Sequence, residues 1–351
     1  CKPLSAITPE IDFIRIGSEL SCDIPFRSHL IENVLESCSS RREVHACIER
    51  CRVFVGTVST FSGKPDLFRL KHFDVAIVDE ATQILEPQLL GLLCARNVAG
   101  GNAIGKFILI GDHKQLPAVV LQSESQSEVC EDCLHSIGLH NLKDSLFERL
   151  YRNSADTTHH LSLITNRSYD MLCRQGRMNV EVARFPNAFY GGLLEPVGLQ
   201  HQQGELILAP GLENDEFADI LVRRVVFLAS VPEVASQSAK INHFEAQLVA
   251  RLAAAIYQQY DGTSGFRPAL TLGIITPYRS QIALIKSEIA ALGIPCLNDI
   301  LVDTVERFQG SERDVIIYSF CVNRTYQLKF LANLTEEGGV WIDRKLNVAL
   351  T

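Results

Sequence analysis

Apolar residues in this chain come in brief, dense runs. RVFVGT, FDVAIVDE, KFILIGD, RVVFLAS, LTLGIIT, ILVDT and DVIIYSF are rich in Val and Ile and apolar at nearly every position. A strand with one wet face alternates polar and apolar residues. A strand covered on both faces does not, so these runs predict parallel sheets flanked by helices. Between them lie SHLIENVLESC, EPQLLGLLCARN, NHFEAQLVARLAAAIYQQY and YRSQIALIKSEIAALG, whose apolar positions recur at helical spacing. Alternating β and α units predict an α/β, doubly wound architecture. No repeat of fixed period and no low-complexity tract interrupts the pattern.

At 351 residues the chain is too long for one typical domain, so two are expected. The polar stretch YRNSADTTHH, after the helical pattern LKDSLFERL, divides a first domain at 1–155 from a second at 156–351. GLQHQQGELILAPGLENDEFAD reads as a loop-rich excursion. NRTYQLKFLANLTEEGG reads as an irregular zone between two strand signals. The chain opens at Cys1 without an initiator Met and stops at Thr351 inside what reads as a strand, so it reads as a piece of something longer.

Composition narrows the class. Hydrophobic residues are 46% and charged ones 21%, enough for a sizeable core and against disorder. Lys plus Arg total 33 against 41 Asp plus Glu, a formal charge of -8, which excludes a globally basic nucleic-acid binder but not a local basic groove. No apolar run approaches the roughly eighteen residues needed to cross a bilayer, and no cationic, apolar leader opens the chain. The 11 cysteines are best explained as reduced thiols of a cytoplasmic protein, or a nuclear one in a eukaryote. Cys130, Cys133, His135 and His140 crowd one polar stretch. They lack the long spacer usual between zinc ligand pairs, which favours a solvated loop with incidental thiols over a metal site.

Candidate chemistry sits where strands stop. In an open parallel sheet, ligands bind beyond the carboxyl ends of strands. VAIVDEATQ puts Asp79 and Glu80 there. A first Asp holding Mg²⁺ and a second carboxylate taking a proton from water is what NTP hydrolysis requires. Acidic residues also close strands in ordinary loops, so the pair alone is weak. GDHKQLPA adds an acid, a cation and an amide in Asp112, Lys114 and Gln115. Gln115 is suited to sense a γ-phosphate and orient water, because an amide both donates and accepts. Its bland alternative is a polar turn ended by Pro117. The two ends lie about thirty residues apart, one βαβ spacing, so they are expected side by side. In VDTVERFQGSERD, a strand ends at Asp303 and Thr304. Gly310 then allows close backbone approach, and Glu312 is placed to meet a ribose hydroxyl. RQGRMN offers Arg177 as a charge-stabilising finger.

DEAT, GDHKQLP, QGRMN, ITPYRSQ, VDTVERFQGSERD and RKLNVALT occur here in the order of the superfamily 1B helicases of the Upf-like type, which the chain resembles. GTVST, SLFERL and NHFEA also look like family segments. The likeness runs from FIRIG to the last residue, and the ordered set is far more specific than any one element. It implies two RecA-like domains of the P-loop NTPase type, with ATP in the cleft between them. Asp79 would bind Mg²⁺ and Glu80 would be the general base. Gln115 would contact the γ-phosphate, and Arg177 would be an arginine finger reaching from the second domain. Asp112, Gly310 and Glu312 join the nucleotide-binding set. Thr57, Ser59 and Thr304 would hold the backbone of a single strand, DNA or RNA, and Pro277 and Tyr278 would be second-domain strand contacts. Gripping phosphates rather than bases suits an enzyme that steps along any sequence, and the resemblance implies movement 5′ to 3′. Tyr278 is equally well read as a core tyrosine.

Three departures stand out. No G-x-x-x-x-G-K occurs, and in the family that phosphate loop precedes the segment where this chain begins. The last motif stops before its usual arginine. Gly176 stands where the family commonly has an aromatic, which puts adenine stacking in doubt. The resulting expectation is an ATP-dependent helicase whose motor core is partial here. The alternatives are an inactive RecA-like scaffold and a P-loop ATPase that remodels protein. A scaffold has no need of Asp79, Glu80, Gln115 and Arg177 together.

Overall fold

The computed structural model describes residue 6 and residues 11–155, 168–234 and 238–351. The expected boundary at 151–160 therefore falls partly outside the described residues. The chain forms two compact units. One comprises Cys1–His113 and Pro117–Tyr169, the other Lys114–Leu116 and Asp170–Thr351. Both are mixed α/β with small, mainly parallel sheets.

In the first unit β1 (Phe13–Ile16) pairs in parallel with β2 (Val53–Gly56). The connection holds α1 (Ile31–Glu36) and α2 (Arg41–Arg50). Ser40 caps α2 by accepting from Glu43 N, and the Glu43 carboxylate accepts in turn from Ser39 N, so the first turn is closed from both directions. Two further short helices, α3 (Val58–Ser62) and α4 (Pro65–Leu70), precede β3 (Phe73–Val78), and α5 (Glu86–Leu93) precedes β4 (Ile104–Leu109). β3 and β4 are parallel partners, as their spacing predicts. Ile14, Ile16, Ile31, Ile48, Cys51 and Leu67 form one apolar cluster. Val78, Leu89, Leu92, Ala103, Ile104 and Leu146 form another. Phe61 and Phe73 pack against both. The expectation that every strand is covered on both faces needs correction in this unit. Val75 and Ile77 of β3 stay exposed, Ile77 by 65%, so apolarity at successive positions does not here mean two covered faces.

The second unit is built on a three-stranded parallel sheet. β7 (Leu272–Ile275) lies between β8 (Leu301–Asp303) and β9 (Val315–Tyr318), and all four of its residues are buried. Shorter strands β5 (Arg174–Gln175) and β6 (Glu195–Pro196) pair with each other on either side of α6 (Val180–Phe189). α7 (His243–Asp261) and α8 (Arg279–Ala291) supply the main apolar cover. Ala246, Val249, Ala250, Ala253 and Ile256 of α7 and Ile285 and Ile289 of α8 cluster with Leu272, Ile274 and Val302. Small residues along α7 let it lie close to the sheet, as packing density demands.

Three segments differ from the sequence pattern. RVVFLAS is not a strand: Phe227 is 81% exposed and no ladder forms there. β-branched residues favour extension, but a strand exists only when a neighbour takes its backbone groups. The last segment is not a strand either. It is α10 (Arg344–Leu350), started by Asp343, whose Oδ1 accepts from Lys345 N and Leu346 N. A run as short as LNVAL carries no decisive period, and the capping aspartate settles it. The irregular zone at 323–339 contains two short helical turns and then a hairpin, β10 (Leu334–Glu337) against β11 (Val340–Asp343). Gly338 and Gly339, at φ 59 and 80, make the two-residue turn that only such residues form easily. Among the described residues no helix is long and apolar enough to cross a membrane.

One position tests the packing of β7 directly. A Cβ on Gly273 would stand 2.5 Å from Phe308 Cε1 and 3.0 Å from Ile316 Cδ1. Gly273→Ala is expected to lose about 1–3 kcal/mol of stability in a denaturant titration, because the ring has nowhere to go. An unchanged midpoint would show that Phe308 does not pack over that glycine.

Candidate functional site

In the first unit the carboxyl ends of β3 and β4 are laced together. Ile110 N donates to Val78 O and Ala81 N to Ile110 O, each at 2.8 Å. The lacing sets Asp79 and Glu80 beside Gly111 and Asp112. A Cβ on Gly111 would meet Thr82 Cγ2 at 3.0 Å and Thr82 N at 3.1 Å, so glycine is what lets the two ends approach. Glu80 sits at φ 51, ψ 38, a left-handed conformation costly for a residue with a side chain. Such strain persists where surroundings impose it, and it gathers at working sites. Asp79 Oδ1 accepts from Glu80 N at 3.0 Å, and Glu80 Oε2 accepts from Gln83 Nε2 at 2.7 Å. Gln83 therefore orients the Glu80 carboxylate. Sequence reasoning quoted this glutamine without giving it a part; its place three residues past Glu80 was the available signal.

Thr57 and Ser59 follow β2 and are both exposed. Thr57 caps α3, its hydroxyl accepting from Thr60 N at 3.2 Å. Gly56 ahead of it is forced, because an added Cβ would stand 2.7 Å from the Ile16 carbonyl oxygen of the paired strand.

In the second unit several motifs converge. Gln115 Nε2 donates to Thr351 Oγ1 at 3.4 Å. Arg177 Nη1 donates to the Thr351 carbonyl at 3.2 Å, and its Nε donates to Glu312 Oε2 at 2.7 Å. Arg177 and Glu312 are each at least half exposed, so their ion pair is worth little in stability. Its content is positional: it holds a guanidinium near an amide and a carboxylate. Gly310 stands at φ 76, the left-handed bend that carries the chain from Phe308 towards Glu312.

The carboxyl ends of the three sheet strands are also aligned. Thr276 N donates to Asp303 O at 3.1 Å and Ser319 N to Ile275 O at 2.8 Å. Pro277, Tyr278 and Thr304 consequently share one edge. Thr304 begins α9 (Val305–Phe308), where Arg307 N donates to its carbonyl. Burial alone would raise the neighbouring Glu306 carboxyl. The Thr304 hydroxyl, a backbone N–H and Lys345 outweigh it and hold that carboxyl below the usual range.

Behind Tyr278 lies a buried amide network that sequence reasoning did not find. Its hydroxyl accepts from Gln327 Nε2 at 3.0 Å. Gln327 Oε1 accepts from the N–H groups of Asn323 and Arg324, and Asn323 Oδ1 accepts from Asn242 Nδ2. Asn242 and Gln281 exchange two bonds, Asn242 N to Gln281 Oε1 and Gln281 Nε2 to Asn242 O. Beside it Glu245, of the NHFEA segment, accepts from Ser230 and Ser319 hydroxyls and Cys321 N. Tyr278 thus has an anchored hydroxyl, whichever use its ring serves. Gln327 and Asn323 lie in the zone read as irregular, where no period announces a buried side chain. Cys130 and Cys133 are exposed, and no group of three or more potential metal-binding side chains occurs among the described residues.

Comparison with known proteins adds to this geometry. A family model described as an AAA domain matches residues 142–351, and a second with the same description matches residues 26–123. The DNA replication ATP-dependent helicase/nuclease DNA2 of Bos taurus is 30% identical over 306 residues, covering 81% of this chain and 24% of that protein. Its Xenopus laevis counterpart is 32% identical over 304 residues, with the same coverage. The DNA polymerase alpha-associated DNA helicase A of Saccharomyces cerevisiae is 26% identical over 347 residues, covering 94% of this chain and 41% of that protein. The chain thus spans 24% to 41% of the length of these relatives.

Cys321 reports on the buried network. It sits at φ 51 with no exposed surface, and burial, together with the Glu245 carboxylate, pushes its thiol from 9.0 to about 12. A pKa raised by folding contributes stability that is full below pH 9.0 and is lost as pH rises towards about 12. At pH 8 iodoacetamide is expected to label the exposed Cys94, Cys130 and Cys133 while sparing Cys321 until the protein unfolds. Labelling of Cys321 at the rate of Cys130 would contradict the buried arrangement.

Proposed function

The chain belongs to the AAA-domain family of superfamily 1B helicase cores, and from that premise we propose that the protein is an ATP-dependent helicase moving along single-stranded nucleic acid. The observation that carries the proposal is that Gln115 and Arg177 both bond Thr351 while Arg177 also bonds Glu312, which gathers an amide, a guanidinium and a carboxylate from separate motifs. The names of the relatives favour DNA as the strand, and the family resemblance favours 5′ to 3′ movement. We assign each unit a RecA-like, doubly wound fold.

Asp79 suits Mg²⁺: an exposed carboxylate at a strand end is a hard oxygen donor of the kind the ion takes beside phosphate oxygens and water. When bound with ATP, the ion supplies charge neutralisation at the phosphates. Glu80 takes the proton of the attacking water, and Gln83 holds that carboxylate in one orientation. Gln115 senses the γ-phosphate and can orient water, since an amide both donates and accepts. Arg177 offsets charge developing on the transferred group, and Glu312 exchanges its bond with Arg177 for one to the ribose. Asp112 and Gly310 complete the nucleotide-binding set.

Thr57, Ser59 and Thr304 hold phosphates of the strand, and Pro277 and Tyr278 form its contact on the second unit. Hydroxyls of this kind fix the backbone without reading sequence.

In the full-length protein Glu80→Gln is expected to cut strand-stimulated ATP turnover by about 10²–10⁴-fold while strand affinity is unchanged. Full turnover in that variant would sink the assigned base. Arg177→Ala is expected to lower kcat by about 10³-fold or more. An unwinding assay with DNA and RNA, each with either polarity of overhang, tests the strand assignment. Unwinding of RNA alone, or from 3′ overhangs alone, would overturn it.

A further inference from the structure

Gln115 is held from both neighbours, and the residues that hold it come from elsewhere in the second unit. On one side the carbonyl of Lys114 accepts from Asn347 Nδ2 at 2.8 Å. Because the peptide group is planar, fixing that oxygen fixes the plane that carries the Gln115 N–H. On the other side Leu116 is buried in an apolar cluster with Ile275, Val305, Phe308 and Ala349. Asn347 Nδ2 also donates to Tyr190 Oη at 2.8 Å. The Tyr190 ring lies under the Lys114 ammonium, 5.9 Å from its centroid, and that ammonium donates to Phe189 O at 2.9 Å and stands 3.6 Å from Glu337 Oε2. Thr351, which receives the Gln115 amide, donates its hydroxyl proton to the Asn347 carbonyl at 2.8 Å.

Asn347 is an odd choice for a core position. It has no exposed surface, both its amide protons are used, and its Oδ1 is buried with no donor. A buried unsatisfied carbonyl costs about 1–3 kcal/mol, so an apolar residue of the same shape is the better choice for stability alone. What the asparagine provides in return is a rigid bridge between the Lys114 carbonyl and the Tyr190 hydroxyl.

We infer that Asn347 and Tyr190 are positioning residues for Gln115: through Lys114 they set where its amide lies during turnover. The inference rests on the proposed role of Gln115 at the γ-phosphate. Asn347 is fully buried and both its amide protons are spent on protein partners, so it acts through Lys114. Their loss therefore misplaces the amide when hydrolysis needs it, which lowers kcat and leaves the KM for ATP nearly alone.

The test is a set of variants of the full-length protein: Asn347→Leu, Tyr190→Phe, Gln115→Ala, and Gln115→Ala combined with Asn347→Leu. Strand-stimulated ATPase kinetics and thermal unfolding are measured for each. Asn347→Leu is expected to lower kcat about tenfold with KM within about twofold of the parent, and Tyr190→Phe to lower kcat about threefold. Added to Gln115→Ala, Asn347→Leu is expected to cost less than about twofold more, since the amide it positions is gone. Multiplying losses in the double variant would overturn the inference, as would a parental kcat in Asn347→Leu. Should Asn347→Leu fail to fold, Tyr190→Phe removes one hydroxyl only, and a parental kcat there overturns it equally. A parental kcat in Gln115→Ala instead removes the underlying role of Gln115, which separates the two failures.

Discussion

A small apolar cluster underlies most of what the second unit does. Leu116, Ile275, Val305, Phe308 and Ala349 come from four distant points of the chain, and each adjoins a candidate site segment. Leu116 follows Gln115, Ile275 ends the strand before Pro277, Val305 follows Thr304, and Ala349 lies two residues past Asn347. Burying these side chains together is favourable in proportion to the apolar area removed from water. The polar neighbours are carried along. Gly273 makes room by leaving open the space that the Phe308 ring fills. Tyr318 packs against the same cluster, and burial, together with nearby Asp343 and Glu306, pushes its phenol up to about 12. The chemistry of the unit is therefore positioned by a non-directional force acting on residues that have no chemistry of their own.

On that apolar floor, the polar groups are arranged by exchange of hydrogen bonds between side chains and backbone. Asn347, Asn242, Asn323, Gln281 and Gln327 are nearly or wholly buried amides, and each ties together segments far apart in sequence. An amide suits this task because it offers two protons and an acceptor from one planar group. A carboxylate does the same at Glu245, where two hydroxyls and a backbone N–H satisfy it. In the first unit the fixing device is different. Backbone bonds between strand ends force Glu80 into a left-handed conformation, and Gln83 restrains its side chain.

Much of this was legible before any coordinates. The parallel pairing of β3 with β4, and the strands at 272–275, 301–303 and 315–318, follow from dense apolar runs separated by helical patterns. Asp79, Glu80, Gln115, Arg177, Gly310 and Glu312 could be named because motif order carries them. The misreadings have separate causes. RVVFLAS has the composition of a strand, yet being a strand depends on a neighbour, which local sequence does not contain. The final segment was too short to show a period, so its helix rested on one capping aspartate.

The sequence by itself determined the class of fold, the places where strands stop, and which residue types stand at those places. These depend on local spacing and on the side chains' own chemistry. Only the tertiary structure decided that Glu312 holds Arg177, that Gln83 restrains Glu80, and that Asn347 bridges the Lys114 carbonyl and the Tyr190 hydroxyl. Most of those partnerships join residues more than a hundred positions apart. They exist because apolar burial brings their neighbours together, and a one-dimensional pattern does not record which buried faces meet.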